Sequence, residues 1–362
     1  MRTIEPVINA AGKLTALGGS AQSEAVAFAQ AKAAQQHVDL SRLRQIAGEQ
    51  VATYTGAEAA CITTGAAAGI AISVAAVLTG TDMDRIQQLP RVEGGNGILL
   101  QAGHAVNFGA TVTQMIRLGG GSPHIVGSTN SVSERLLADT VEGGTFEGMV
   151  YVQSHHCVQE NMVPLPSCVD ICHRCAIPVI VDAAAEEDLE HYISLGVDLV
   201  TYSGGKAFGG PTVGFIAGKR VLIEACEMQF AGIARPMKVG KEAIAGLLVA
   251  LEAYTSADPE VRRAELTRIN DLIVGGLCDC SSYRVFLKPD EADRPFERVA
   301  IGAATSTFEV RDLVAFLAGG SPSIRTRNHH LDQGIVLLDP RELTPSDAEV
   351  IIERLKVFDR KQ

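Results

Sequence analysis

Between residues 59 and 217 the chain alternates short apolar runs with segments of helical period, and no other feature restricts its fold so strongly. Strands are expected at residues 59–63, 97–101, 124–127, 149–153, 177–182, 198–203 and 213–217. Helices are expected between them, at 66–77, 110–118, 131–138, a cysteine-bearing segment before 177, and 189–195. The runs are continuous rather than alternating, which suits strands buried on both faces. The pattern therefore predicts an α/β fold with a mostly parallel sheet covered by helices on each side.

A glycine-rich arm of about 20 residues and two helices, the second near 40–54, precede this region. After it a helix at 241–254 is broken by Asp258-Pro259. Helices at 260–277, 310–317 and 344–358 then mix with strands near 283–287, 298–302, 323–327 and 335–338. That mixture predicts a small α+β domain. The expected division is 1–55 for the arm and first helices, 56–238 for the large domain, and 239–362 for the small domain with its linking helix.

Composition narrows the function. With 46% hydrophobic residues in 362, the chain buries a full core, and disorder is excluded. A net charge of −11 argues against a nucleic-acid surface and favours a small-molecule substrate. Neither a signal-peptide pattern at the start nor a membrane-spanning apolar run is present, so a cytoplasmic protein without membrane contact is expected. The eight cysteines (Cys61, Cys157, Cys168, Cys172, Cys175, Cys226, Cys278 and Cys280) are expected to be reduced thiols. Cys168, Cys172 and Cys175 have the spacing of an iron–sulfur site of the radical S-adenosylmethionine type. They fall at i, i+4 and i+7 of a helix that runs into an apolar strand, whereas such a cluster needs an open loop. Packing is expected there, and no metal site is expected anywhere.

Ligands of an open α/β sheet bind beyond the carboxyl ends of its strands. The strand at 59–63 opens into Thr64-Gly65-Ala66, a small-residue helix start whose free N–H groups suit a phosphate but also suit plain packing. The strand ending at Asp182 and the one ending at Ser203 are followed, twenty-four residues after Asp182, by Lys206 in a glycine-flanked loop. A lysine that reaches a cofactor aldehyde and a carboxylate that keeps a pyridine nitrogen protonated are the two groups pyridoxal 5′-phosphate (PLP) chemistry requires. Spacing alone leaves open a structural aspartate and a solvated lysine. The loop matches neither a Walker A motif nor a dinucleotide fingerprint.

The run IVDAAAEEDLEHYISLGVDLVTYSGGKAFGGPTVGFIAG resembles the cofactor-lysine region of the bacterial selenocysteine synthase (seryl-tRNA selenium transferase) group, and more closely its D-glucosaminate-6-phosphate ammonia-lyase branch. INAAGKLTALGGS, YTGAEAACITTGAAAGI, GIARPMKVGKEAIAGLLVALEAY and SPSIRTR resemble further segments of that group in the same order, so the likeness covers most of the chain. It implies the aminotransferase-like fold called type I, with Lys206 as the Schiff-base lysine and Asp182 as the partner of the pyridine nitrogen. By the same resemblance Thr64, Gly65 and Ala66 offer phosphate-binding amides, joined by the Ser203 hydroxyl, and His104 lies over the cofactor ring or in the core. Arg327, or Arg325 beside it, grips a substrate carboxylate. His155 and His156 face the substrate or are plain loop residues. Lys238, with Lys241 and Arg235, receives a phosphate or caps a solvated helix, and Asn9 and Gly12 belong to an interfacial arm.

The resemblance implies a PLP-dependent lyase of amino acid metabolism. Its reaction would be α,β-elimination from a hydroxylated amino acid or amino sugar acid such as D-glucosaminate 6-phosphate, giving a 2-keto acid and ammonia. A racemase, a β-replacement transferase and a non-catalytic PLP-fold binder are the alternatives. Action on tRNA is disfavoured by the acidic charge and by a start directly at the arm. A homodimer or larger homo-oligomer is expected.

Overall fold

The computed structural model describes residues 4–154, 156–291, 294–304 and 308–362. In chain order its first half comprises β1 (Val7–Ala10), α1 (Glu24–Ala34), α2 (Leu40–Thr55), β2 (Ala59–Thr63), α3 (Ala66–Thr79), α4 (Met83–Gln88), β3 (Gly97–Gln101), α5 (Val112–Leu118), β4 (Ser122–Val126), α6 (Glu134–Gly143), β5 (Gly148–Val152) and α7 (Leu165–Arg174). The second half comprises β6 (Val179–Asp182), α8 (His191–Ser194), β7 (Leu199–Ser203), β8 (Gly214–Gly218), α9 (Arg220–Met228), α10 (Lys241–Ser256), α11 (Pro259–Gly276), β9 (Tyr283–Pro289), β10 (Glu297–Ala303), α12 (Val310–Ala318), β11 (Ser323–Thr326), β12 (Ile335–Leu338) and α13 (Pro345–Asp359). The chain divides into two compact units, one from Gln22 to Thr255 and one formed by the residues up to Ala21 together with those from Ser256 onward.

The larger unit holds a seven-stranded sheet in the order β2-β8-β7-β6-β5-β3-β4. Its pairs are parallel except those of β8, which runs against both β2 and β7. Side chains alternate between two apolar layers: Leu99, Val179 and Val181 enter one, and Ile98, Leu100 and Ile180 the other. Both faces are thus buried, as continuous apolar strands require. Helix α3 is apolar around its circumference and buries Ile70, Ile72, Val74 and Leu78. Gly69 admits it against β7, since a Cβ there would lie 3.1 Å from Thr201 Cβ.

In α7, Cys168 and Cys172 pack into the core, but Cys175 caps the helix end and is exposed. The helical face expected to carry all three cysteines therefore carries two. Three elements have no counterpart in the sequence reading: β1 and α4, each too short to display a period, and the nine-residue α9.

The smaller unit contains an antiparallel sheet, β12-β10-β9, and a parallel pairing of β1 with β11. Its own core gathers Ile8 of the arm with Ile269, Val299, Leu313, Val336 and Leu355. Asp258 caps α11 by accepting the Glu260 N–H, and Thr344 and Asp347 form a capping box at the start of α13. Among the described residues, no helix is long and apolar enough to cross a membrane.

Candidate active site

Asp182 ends β6 opposite Thr201 of β7, and β7 continues through Ser203 into the lysine loop. That loop folds back on itself: the Lys206 N–H donates to Ser203 O at 3.4 Å, Gly204 N–H to Val213 O at 2.8 Å, and Gly210 N–H to Gly204 O at 2.8 Å. Asp182 is 6% exposed, and its Oδ1 accepts the Ala184 N–H at 3.2 Å. Burial pushes its carboxyl up to about 6, against the opposing pull of the Lys206 charge and the Ala184 N–H. The two groups singled out in the sequence thus sit on adjacent strand ends, close enough for one to act on the other.

The phosphate candidate lies across the antiparallel strand. Gly65 caps α3 without any side-chain bond to the first turn, so the helix start presents backbone N–H groups and its positive dipole end. Thr63 and Ser203 both stand opposite Gly214 of β8 in the ladder. A Cβ on Gly214 would lie 2.6 Å from Tyr202 O and 2.7 Å from the Gly65 carbonyl carbon. Only a glycine lets the α3 turn and the lysine strand approach the same backbone point. A buried carboxylate, a lysine and an uncapped helix start, all within one unit, fit the pyridine nitrogen, aldehyde and phosphate of PLP.

Of the two places expected for His104, over the cofactor ring or in the core, the described contacts are those of the core. The residue is fully buried. Its Nδ1 accepts the Val152 N–H at 3.3 Å, and its Nε2 meets Gln159 Oε1 at 3.1 Å. The accepting Nδ1 assigns the proton to Nε2. The ring packs edge-to-face on Tyr151 at 4.5 Å, and burial pulls its pKa down to about 4. His104 is therefore neutral, with both nitrogens engaged. Gln159, which sequence reasoning missed, joins this network by accepting from the Tyr151 hydroxyl at 3.2 Å and donating to Val152 O at 2.9 Å. Cys157, also missed, lies near Asp182: burial, then that carboxylate's charge, pushes its thiol up to about 12. Neither residue stands in a periodic segment that could have drawn attention to it.

His155 lies outside the described residues. His156 is exposed, its N–H bonded to Ser154 Oγ at 3.2 Å. Lys238 and Arg235 are exposed, while Lys241 pairs with Glu242 at 2.5 Å.

In the smaller unit Arg325 is exposed and Arg327 is 8% exposed. A two-way backbone bridge to Leu337 fixes Arg327, and its Nε has no hydrogen-bond partner among the described residues. A buried network lies close by. Asp339 accepts from Arg298 Nε at 2.7 Å and from Arg341 Nε and Nη2 at 2.9 Å, and Asp290 meets Arg298 at 2.5 Å. Although burial pushes the Asp339 carboxyl up, the guanidiniums of Arg341 and Arg298 hold it well below the usual carboxylate range. Gly12, at φ +86°, leaves room for this carboxylate, since a Cβ would stand 2.7 Å from Asp339 Oδ2. The Asn9 side chain closes the arm's turn by donating to Gly12 O at 3.0 Å.

Comparison with known proteins gives this arrangement its context. The family model SelA, L-seryl-tRNA selenium transferase, matches residues 170–277, which include Asp182 and Lys206. The chain is 41% identical to a D-glucosaminate-6-phosphate ammonia lyase of Salmonella typhimurium, over 98% of this chain and 95% of that protein. It is also 41% identical to a 5′-C-glycyluridine monooxygenase-decarboxylase of a Streptomyces species, over 98% of this chain and 90% of that one. A solved structure of D-glucosaminate-6-phosphate ammonia-lyase superposes with a TM-score of 0.90 at 39% identity, covering 99% of this chain and 96% of that one. At the level of fold alone, a ureidoglycine-glyoxylate aminotransferase from Bacillus subtilis matches with a TM-score of 0.64 at 11% identity. The fold is that of type I PLP enzymes. The chain belongs to the selenocysteine synthase-like family that includes D-glucosaminate-6-phosphate ammonia lyase, and it is a PLP-dependent enzyme of the ammonia-lyase type.

Proposed function

We propose that the enzyme removes ammonia, by way of a dehydration whose water is returned at hydrolysis, from a hydroxylated amino acid of the amino sugar acid class, the substrate named for its Salmonella relative being the first candidate. The observation that carries the reading is the buried Asp182 carboxylate beside Lys206 on neighbouring strand ends. Bound there, PLP supplies an electron sink for the pair left at the substrate's Cα.

The protein's residues do the rest. Lys206 holds the cofactor, yields its place to the substrate amine, and its freed amine takes the Cα proton. Asp182 holds a proton at the pyridine nitrogen, which deepens the sink. Thr64, Gly65, Ala66 and Ser203 anchor the phosphate. Arg327 is the proposed grip on the substrate carboxylate, supported by its burial and its unpartnered Nε, with Arg325 too exposed for the same task. Lys238 is proposed to meet a phosphate on the substrate. Loss of hydroxide from Cβ, protonated as it leaves, gives an unsaturated amine whose hydrolysis yields a 2-keto acid and ammonia. The assembly proposed is a cytoplasmic homodimer or larger, on the strength of the family resemblance.

The test is incubation of the PLP-loaded enzyme with D-glucosaminate 6-phosphate, assayed for ammonia and 2-keto acid, beside a Lys206→Ala control. Equimolar products from the wild type, reduced at least about 10²-fold in the control, are expected. The equal identity to the Streptomyces enzyme gives a second reading, oxidative decarboxylation, so oxygen uptake is followed in the same vessel. Uptake without ammonia release would replace the first reading with the second.

A further inference from the structure

A group of metal-ligating side chains lies in the smaller unit. Among the described residues, Glu291, His329 and His330 are the one group whose ligand atoms all fall within 4.8 Å of one another. Glu291 follows β9, while the two histidines stand in the turn after β11. His329 Nε2 lies 2.8 and 2.9 Å from the two Glu291 oxygens, and His330 Nε2 contacts Oε1 as well. Adjacent residues here aim two imidazoles, centroids 4.3 Å apart, at a single carboxylate oxygen.

We propose that Glu291, His329 and His330 bind a divalent cation of the zinc type. Two imidazole nitrogens and one carboxylate are a donor set that borderline metals accept. Bonds of about 2.0–2.1 Å would place tetrahedral ligands roughly 3.3 Å apart, so the His329 contacts need to open by about half an ångström and the closer His330 contact by more. Without an ion, both imidazoles must carry a proton on Nε2 to face the carboxylate, and a cation replaces those protons. Arg327 Nη2 stands 3.7 Å from Glu291 Oε2, the oxygen that His330 does not engage. An ion on Oε1 leaves Oε2 to the guanidinium. Three protein donors also leave one tetrahedral position for water or an anionic oxygen. No metal site was expected along the chain, because these ligands come from two segments with no spacing motif between them.

The test is equilibrium dialysis of the PLP-loaded enzyme against Zn²⁺, with elemental analysis and zinc-edge X-ray absorption of the dialysed protein. One zinc per chain with a nitrogen and oxygen shell is expected, absent from the His329→Ala/His330→Ala double variant. Glu291→Gln, which keeps the shape of the side chain, should weaken binding by more than about 10–100-fold, the loss typical of disturbing merely a ligand's supporting partner. Retention of the cofactor spectrum in each variant shows that it folds. Equal zinc in wild type and double variant, a sulfur shell indicating the thiols, or no zinc on the wild type would each overturn the proposal.

Discussion

Replacing Asp182 by asparagine should make the cofactor-free protein more stable while disabling the enzyme. In the fold, burial moves this carboxyl from the usual 3.8 up to about 6. At 1.36 kcal/mol per pH unit, the charged form therefore carries a penalty of about 3 kcal/mol. Because the folded value lies above the unfolded one, the penalty is complete above pH 6, about half near pH 5, and gone near pH 4. Asparagine keeps an oxygen for the Ala184 N–H and has no charge to desolvate. Denaturant unfolding of the cofactor-free proteins at pH 8, 5 and 4 should thus show a gain for Asp182→Asn that shrinks in that order. With PLP bound, the carboxylate acquires a cationic partner and the ranking should reverse. Turnover should fall by about 10²–10³, the scale of losing one preorganised electrostatic contact. A variant no more stable than wild type at pH 8, or a gain independent of pH, would refute the reasoning.

Arg327→Ala should raise KM for the amino acid substrate by roughly 10- to 100-fold, as expected for a lost charge-assisted hydrogen bond, whereas exposed Arg325→Ala should leave steady-state kinetics nearly unchanged. Equal effects from the two would remove Arg327 from its proposed role. Asp339→Ala leaves Arg298, 1% exposed, without one of its buried partners and should destabilise the protein by about 3–5 kcal/mol in denaturant titration. The wild-type Asp339 contribution is present at neutral pH and should be lost as pH falls below the ordinary carboxylate range, because its folded pKa is depressed; a variant that unfolds like wild type at pH 7 would contradict this.

What the sequence disclosed follows from the range of the forces involved. Asp182 and Lys206 were legible because continuous apolar strands mark their own ends, and in this architecture strand ends are where chemistry gathers. The place of β8 beside β2 was not legible, since that pairing joins segments some 150 residues apart and leaves no local period. His104 was visible as a residue past a strand end, but its contacts with Gln159 and Val152 depend on a loop that has no pattern of its own. The same holds for Asp339, Arg298 and Glu291. Each reads as a surface charge along the chain, and only the folded sheet of the smaller unit gives them partners.

Gly214 has a further consequence. The two anchors proposed for the cofactor are gauged from the same residue, so their separation is set by a strand rather than by either loop. Insertions in neighbouring loops cannot alter that gauge. Evolution of new chemistry on this scaffold is therefore free to rewrite the surrounding loops, while a single methyl group at position 214 would push the lysine strand and the α3 turn apart and, with them, the two proposed anchors.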